Sequence, residues 1–128
     1  MPGKPSDSEL EIMHILWEKG PLTVREINDN LNKVRRVGYT TTLKIMQIMT
    51  EKGILTRDTG QRSHVYTPAV KPEAIQSTVL DHVLRTAFNG NTSSLVLHAL
   101  GNHTASQQEL SEIKALIEKI EKQQHGNI

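Results

Sequence analysis

The chain has 128 residues, 36% hydrophobic and 23% charged, enough for a modest core in one domain or in two small lobes. Having no cysteine excludes a disulfide scaffold, a thiolate metal site and a cysteine nucleophile, and no apolar run approaches the roughly 20 residues that span a bilayer. The formal charge of +1 conceals an asymmetry, because residues 33–67 hold seven basic and two acidic side chains, whereas beyond Thr67 there are five basic and six acidic ones. A positive segment of that kind suits contact with a polyanion, although charge alone fits a solvated surface as well. The first residues, MPGKPSDSELE, lack the apolar stretch of a signal peptide, so a cytoplasmic location is expected.

Residues 1–6 read as a loose tail. Ser8 and Glu11 have the spacing of a capping box and open a first helix, in which Leu10, Met13, Leu16 and Trp17 repeat at helical intervals with Ile12 and Ile15 beside them. Gly20-Pro21 stops it. Thr23 and Glu26 form a second box, followed by Val24, Ile27 and Leu31. A third helix is predicted over residues 40–52, ended by Gly53, with Thr42, Ile45, Met46 and Met49 facing inward. Strands at 54–57 and 64–67 flank a polar tip containing Gly60, and Pro68 closes the unit.

The remainder is helical. Pro72 suits the first turn of a helix reaching Ala87 or Phe88, with Gly90 beyond its end. A short, very apolar helix over 93–100 is ended by Gly101-Asn102. Ser106 and Glu109 form a third box before Leu110, Ile113, Ile117 and Ile120, a coiled-coil-like seam widened by Leu116. That seam fits an interface between two copies or an intrachain core. A chain this small buries only about 65% of its unfolded surface, so a second copy would add stability.

Three helices and a hairpin follow the order of a winged helix-turn-helix, in which the third helix enters the DNA major groove and the hairpin rests on phosphates. The expected fold is therefore mostly α with a small β-hairpin: a winged helix-turn-helix lobe over 7–69 and a helical lobe over 70–124. Candidate DNA contacts are Tyr39, just before the third helix, and Thr40, Thr41, Leu43, Lys44 and Gln47 on it. Hydroxyls bond phosphates or bases, Gln suits an adenine edge, and threonine or leucine methyls meet the thymine methyl. The wing adds Arg57, Arg62 and His64 for phosphates. The rival from another class is a winged-helix module that docks a protein and has no DNA role. Such a module would bind its partner regardless of salt and tolerate loss of the wing arginines.

Other chemistry finds little support. The six histidines form no H-x-x-x-H pair with an acidic third ligand, so neither metal nor cofactor is expected. No Gly-x-Ser-x-Gly elbow or glycine-rich phosphate loop is present, Glu9 and Glu11 read as helix-start charges, and the chain is not expected to be an enzyme. His98 follows an apolar run and is a candidate for a place inside the C-terminal lobe, where protonation would loosen packing.

The runs ELEIMHILWEKGPLTVREI, YTTTLKIMQIMTEKGILTRD, RSHVYTPAV, LRTAFNGNTSSLVLHAL and SQQELSEIKALIEKI cover almost the whole chain. In these the chain resembles the penicillinase and methicillin-resistance repressors and the copper-responsive repressors grouped with them (BlaI/MecI/CopY type). The resemblance implies a cytoplasmic bacterial repressor that binds as a homodimer to inverted-repeat operators and blocks transcription. It implies reading positions at Thr40, Thr41, Leu43 and Lys44, and wing contacts over residues 57–64. It also makes the C-terminal helices a dimerisation lobe, with Val79, Val83, Leu95, Leu97, Leu110, Ile113, Ile117 and Ile120 as interface candidates, and a sensor protease a candidate partner. Two departures bear on the inducer. The family's β-lactam-responsive members are cut at an Asn-Phe bond after a Ser-Leu-Val-Leu run, but here residues 94–97 are followed by His98-Ala99. The paired cysteines of the copper-responsive members are missing, which excludes a thiolate copper switch.

Overall fold

A computed structural model describes residues 4–60 and 62–126. Helix α1 (Asp7–Lys19) begins two residues before the expected start, so the capping box is Ser6 with Glu9 and not Ser8 with Glu11. The segment Ser6-Asp7-Ser8-Glu9-Leu10-Glu11 contains two overlapping registers for the same motif. The earlier one prevails because it sets Asp7 and Glu9 in the first turn, where the helix dipole favours acids, and turns Glu9 inward. Ser6 thus belongs to the helix cap and Pro5 is buried, while residues 1–3 of the expected tail lie outside the described residues.

Strand β1 (Leu22–Thr23) leads into α2 (Val24–Leu31), whose Thr23–Glu26 box forms as the spacing predicts. Helix α3 (Tyr39–Glu51) is followed by β2 (Leu55–Asp58) and β3 (Val65–Pro68), each one residue later than expected. The sheet has three antiparallel strands in the order β1-β3-β2, with Leu22 opposite Tyr66 and Arg57 opposite Tyr66 on its other side. Two residues are too few for strand periodicity to register, so β1 is visible only through its tertiary pairing. That pairing ties the wing to the start of α2.

The core gathers Ile12, Met13 and Leu16 from α1, Ile27 and Leu31 from α2, Met46 and Met49 from α3, and Leu55 and Tyr66 from the sheet. Met46, Met49 and Thr42 are buried and Ile45 is half-buried, which is the inward stripe that the sequence predicts. Helix α4 (Pro72–Thr86) adds Ile75, and Val79 packs on the same core. The Trp17 indole N–H donates to the Val70 carbonyl at 3.1 Å, fastening the segment before α4 to α1.

Glu9 is 3% exposed and accepts two hydrogen bonds from the Lys52 ammonium, at 2.9 and 3.0 Å. It also accepts one from the Ser6 N–H at 2.8 Å. Burial pushes its carboxyl pKa up, but the ammonium and the Ser6 donors together outweigh that and hold it below the ordinary value. Glu9 is therefore an internal tie between α1 and the end of α3, beyond its place as a helix-start charge. Lys52→Ala leaves a buried carboxylate half-satisfied, and the expected cost is about 1–3 kcal/mol at neutral pH. Because the folded pKa is depressed, the pair's contribution is complete above the unfolded value of about 4.3 and is lost as pH falls through the folded value. Urea denaturation at several pH values should show the gap between wild type and variant closing in acid; a constant gap contradicts the assignment.

The chain divides into two compact units, Met1–Val83 and Leu84–Ile128, with the division running through α4. The second unit holds α5 (Thr92–Asn102) and α6 (Gln107–Gly126). Helix α5 continues through Gly101 and Asn102, the residues expected to end it. Gly101 keeps a negative φ, so it supplies no left-handed stop, and an interior glycine costs a helix only about 1 kcal/mol against alanine. The turn before α5 does use that conformation, at Asn89 (φ 51°) and Gly90 (φ 80°). The Ser106–Glu109 box opens α6 with reciprocal bonds of 3.1 and 3.2 Å. Neither α5 nor α6 has a buried residue, and Leu97 is 68% and Leu116 57% exposed. Among the described residues no helix is long and apolar enough to cross a membrane.

Candidate nucleic-acid interface

Helix α3 separates two kinds of residue. Thr42 is fully buried, and its hydroxyl accepts a 2.8 Å bond from the Asn28 amide, which donates also to the Val37 carbonyl at 3.1 Å. Asn32 completes the turn, accepting from Val37 N–H at 3.1 Å and donating to its carbonyl at 2.8 Å. Two asparagines thus hold the start of α3 against α2. On the opposite side Thr40, Thr41, Lys44 and Gln47 are exposed, Tyr39 is exposed at the first helical position, and Leu43 is half-buried against the core. Ile48 is also exposed, a position that helical period alone does not single out.

Asn28→Ala removes both donors of that amide and is expected to cost about 1–3 kcal/mol. It should also weaken any ligand held by the outward face, because the helix start loses its support. A urea midpoint equal to that of the wild type contradicts this role.

The wing presents Arg57, Arg62 and His64, all exposed. Asp58 folds back to accept from the Gly60 N–H at 2.8 Å, an Asx turn that shapes the tip. Gln61 lies outside the described residues. The excess of positive charge over 33–67 is partly neutralised by acids from α1. Arg35 pairs with Glu11 at 2.6 Å, and Lys52 with Glu9 at 2.9 Å. The Glu11 carboxylate, as the stronger influence, raises the Arg35 pKa further. Lys33, Arg36, Lys44, Arg57 and Arg62 remain as exposed cations without an ion pair among the described residues.

One further cation stands near this face. Arg25, in the first turn of α2, lies with its guanidinium carbon 5.9 Å from the centroid of the Tyr39 ring. Together with Thr23, Arg62, Ser63 and His64 these two residues line a shallow notch between the starts of α2 and α3 and the wing. Helix α3 has Gly38 at its N-cap, no side-chain cap and no acid in its first turn. Its leading N–H groups are thus left to solvent or to an incoming acceptor.

The sequence-predicted groove and wing residues accordingly share the first unit. Of the interface candidates, Leu97, Ile117 and Ile120 are exposed and Val83, Leu95, Leu110 and Ile113 half-buried, whereas Val79 packs on the first core. His98 is exposed, makes an edge contact with Phe88 at 5.5 Å between centroids, and has Nδ1 2.9 Å from the Ser94 carbonyl.

The family model described as penicillinase repressor matches residues 5–119. The chain belongs to the penicillinase repressor family. Within it, the penicillinase repressor of Bacillus licheniformis is 27% identical over 114 residues, 89% of each chain. The methicillin resistance regulatory protein MecI of Staphylococcus aureus is 22% identical over 114 residues, 89% of this chain and 93% of that one. Among solved structures, the DNA-binding domain of the repressor BlaI is similar with a TM-score of 0.51 at 26% identity, covering 56% of this chain and 88% of that one. The monomeric form of Bacillus licheniformis BlaI in complex with the blaP half-operator gives a TM-score of 0.50 at 26% identity, over 57% and 89% of the two chains. The winged-helix fold expected from the order of elements is therefore the fold of this family's DNA-binding domain.

Proposed function

We propose that this chain is a transcriptional repressor whose two copies bind an inverted-repeat operator, each laying α3 in the major groove with the wing on neighbouring phosphates. Membership in a family of DNA-binding repressors supports that reading, and it assigns the chain no enzymatic activity. The observation that carries it is the division of α3. Thr42 is pinned inward by Asn28 while Thr40, Thr41, Lys44 and Gln47 stand outward beside a cationic wing. Tyr39 and Leu43 border that face, and Arg57, Arg62 and His64 extend it. Base selectivity falls to the α3 residues and much of the affinity to phosphate attraction.

The functional division is a winged-helix part over 7–69 and a dimerisation part over 70–124. Two helices without a buried residue support pairing of a second copy through Val83, Leu95, Leu97, Leu110, Ile113, Ile117 and Ile120, with Val79 at the margin. The protein works in the cytoplasm. Release by a sensor protease would require a scissile bond other than Asn-Phe, since His98-Ala99 stands in that place.

Footprinting on the promoter of its own gene tests the proposal. The expected result is a protected, two-fold symmetric site with half-site centres one helical turn, about 34 Å, apart or a multiple of it. A promoter without any protected site overturns it.

A further inference from the structure

We infer that Arg25, held against the Tyr39 ring, grips a backbone phosphate of the bound duplex, making the notch between α2, α3 and the wing a phosphate clamp that fixes how α3 is seated. The inference rests on the proposed DNA-binding function and adds to it a residue from α2 and a role for the aromatic ring at the start of α3.

Arg25 occupies a position where a cation is unfavourable for the helix that carries it. It is the second residue of α2, next to the positive end of the helix dipole. Its neighbour Glu26 offers no compensation, because that carboxylate accepts bonds from the Thr23 N–H and hydroxyl, both at 3.0 Å. Among the described residues no carboxylate pairs with Arg25, and none lines the notch. What it has instead is the Tyr39 face at 5.9 Å, a cation–π contact that narrows the directions in which the guanidinium can point.

The surroundings complete an anion site. Arg62 and His64 come from the wing, and Ser63 contributes a hydroxyl. Pairing of Thr23 with Val65 across β1 and β3 holds the wing beside the start of α2. The notch is continuous with the outward face of α3, since Tyr39 directly precedes Thr40. A guanidinium presents its donors as a planar fork that matches two phosphate oxygens, a geometry that an ammonium lacks. A duplex lying along α3 therefore brings a phosphate between Arg25 on one side and Arg62 on the other.

The test uses the full chain, the footprinted duplex and a scrambled duplex, with affinities measured across a series of salt concentrations. Arg25→Ala should weaken binding to both duplexes by about tenfold and lower the slope of log affinity against log salt by about 0.9 for each phosphate that is no longer neutralised. Arg25→Lys should fall between variant and wild type. Tyr39→Leu should reproduce part of the loss, and Tyr39→Phe, which keeps the ring, should lose less than Tyr39→Leu. Lys19→Ala, exposed at the far end of α1, should leave the slope unchanged. A wild-type slope for Arg25→Ala, at whatever affinity, overturns the clamp. If Lys44→Ala then still loses selectivity, the groove reading survives without the clamp. Failure of the wild type to bind either duplex removes both.

Discussion

Alanine at both Thr41 and Lys44 is expected to lower operator affinity by about 2–4 kcal/mol, roughly 30- to 700-fold, without changing stability. Both side chains are exposed on α3 and neither contributes to the core, so truncation removes interactions with a ligand and little else. The adjacent Thr42 makes the internal comparison. Its hydroxyl accepts from Asn28 at 2.8 Å and it is fully buried, so Thr42→Val should cost about 1 kcal/mol of stability through the missing bond. The two effects separate in the readout, with the exposed pair moving affinity and the buried threonine moving the urea midpoint. On scrambled DNA the double variant should lose much less than on the operator if these residues touch bases. An equal loss on both sequences would assign Thr41 and Lys44 to phosphates.

The second large effect concerns assembly. Leu110→Asp together with Ile117→Asp is expected to convert the proposed dimer to monomer and to weaken operator binding by about 10²- to 10⁴-fold, because each half-site must then be bound without its tethered neighbour. Ile117 is 50% exposed in the single chain, and α6 contributes no buried residue. Among the described residues Leu116, Ile117 and Ile120 on its apolar side stay exposed, while Leu110 and Ile113 are half-buried. Sedimentation velocity at low micromolar concentration, with circular dichroism to show that the helices persist, measures the change. A dimer that survives both aspartates would mean that the two copies meet on another surface.

Much of this architecture is legible from residue pattern, for identifiable reasons. The Thr23–Glu26 and Ser106–Glu109 boxes appear where their spacing puts them, because a cap depends on four consecutive residues and little else. The inward stripe of α3 follows from helical period, since Met46 and Met49 must share a face with Thr42. Features that depend on distant partners are not legible. Two overlapping boxes at the start of α1 are equivalent in sequence, and the one used is the one that brings Glu9 to Lys52, 43 residues away. Strand β1 exists only because Leu22 and Thr23 meet Tyr66 and Val65. Gly101 carries the usual mark of a helix end, yet α5 passes through it with an ordinary helical φ.

The candidate interface shows the same division. Tyr39, Thr40, Thr41, Lys44, Gln47, Arg57, Arg62 and His64 are identifiable as outward or tip positions, and all are exposed. Arg35 counts as a free cation on charge alone, but Glu11 from α1 engages it at 2.6 Å. Arg25 lies outside the basic segment and so escapes a reading by charge, although the sequence holds a signal. A basic residue between a capping threonine and its glutamate sits at the end of a helix that repels cations, and such a placement calls for an external reason.

The central claim is that α3 lies in the major groove of a duplex, and the absence of cysteine makes it directly measurable. A Gln47→Cys variant carrying an iron–EDTA cleavage reagent should cut DNA inside each half-site of the footprint, symmetrically about the dyad. Cutting confined to the outer edges of the footprint, or none above background while the operator is occupied, would contradict it.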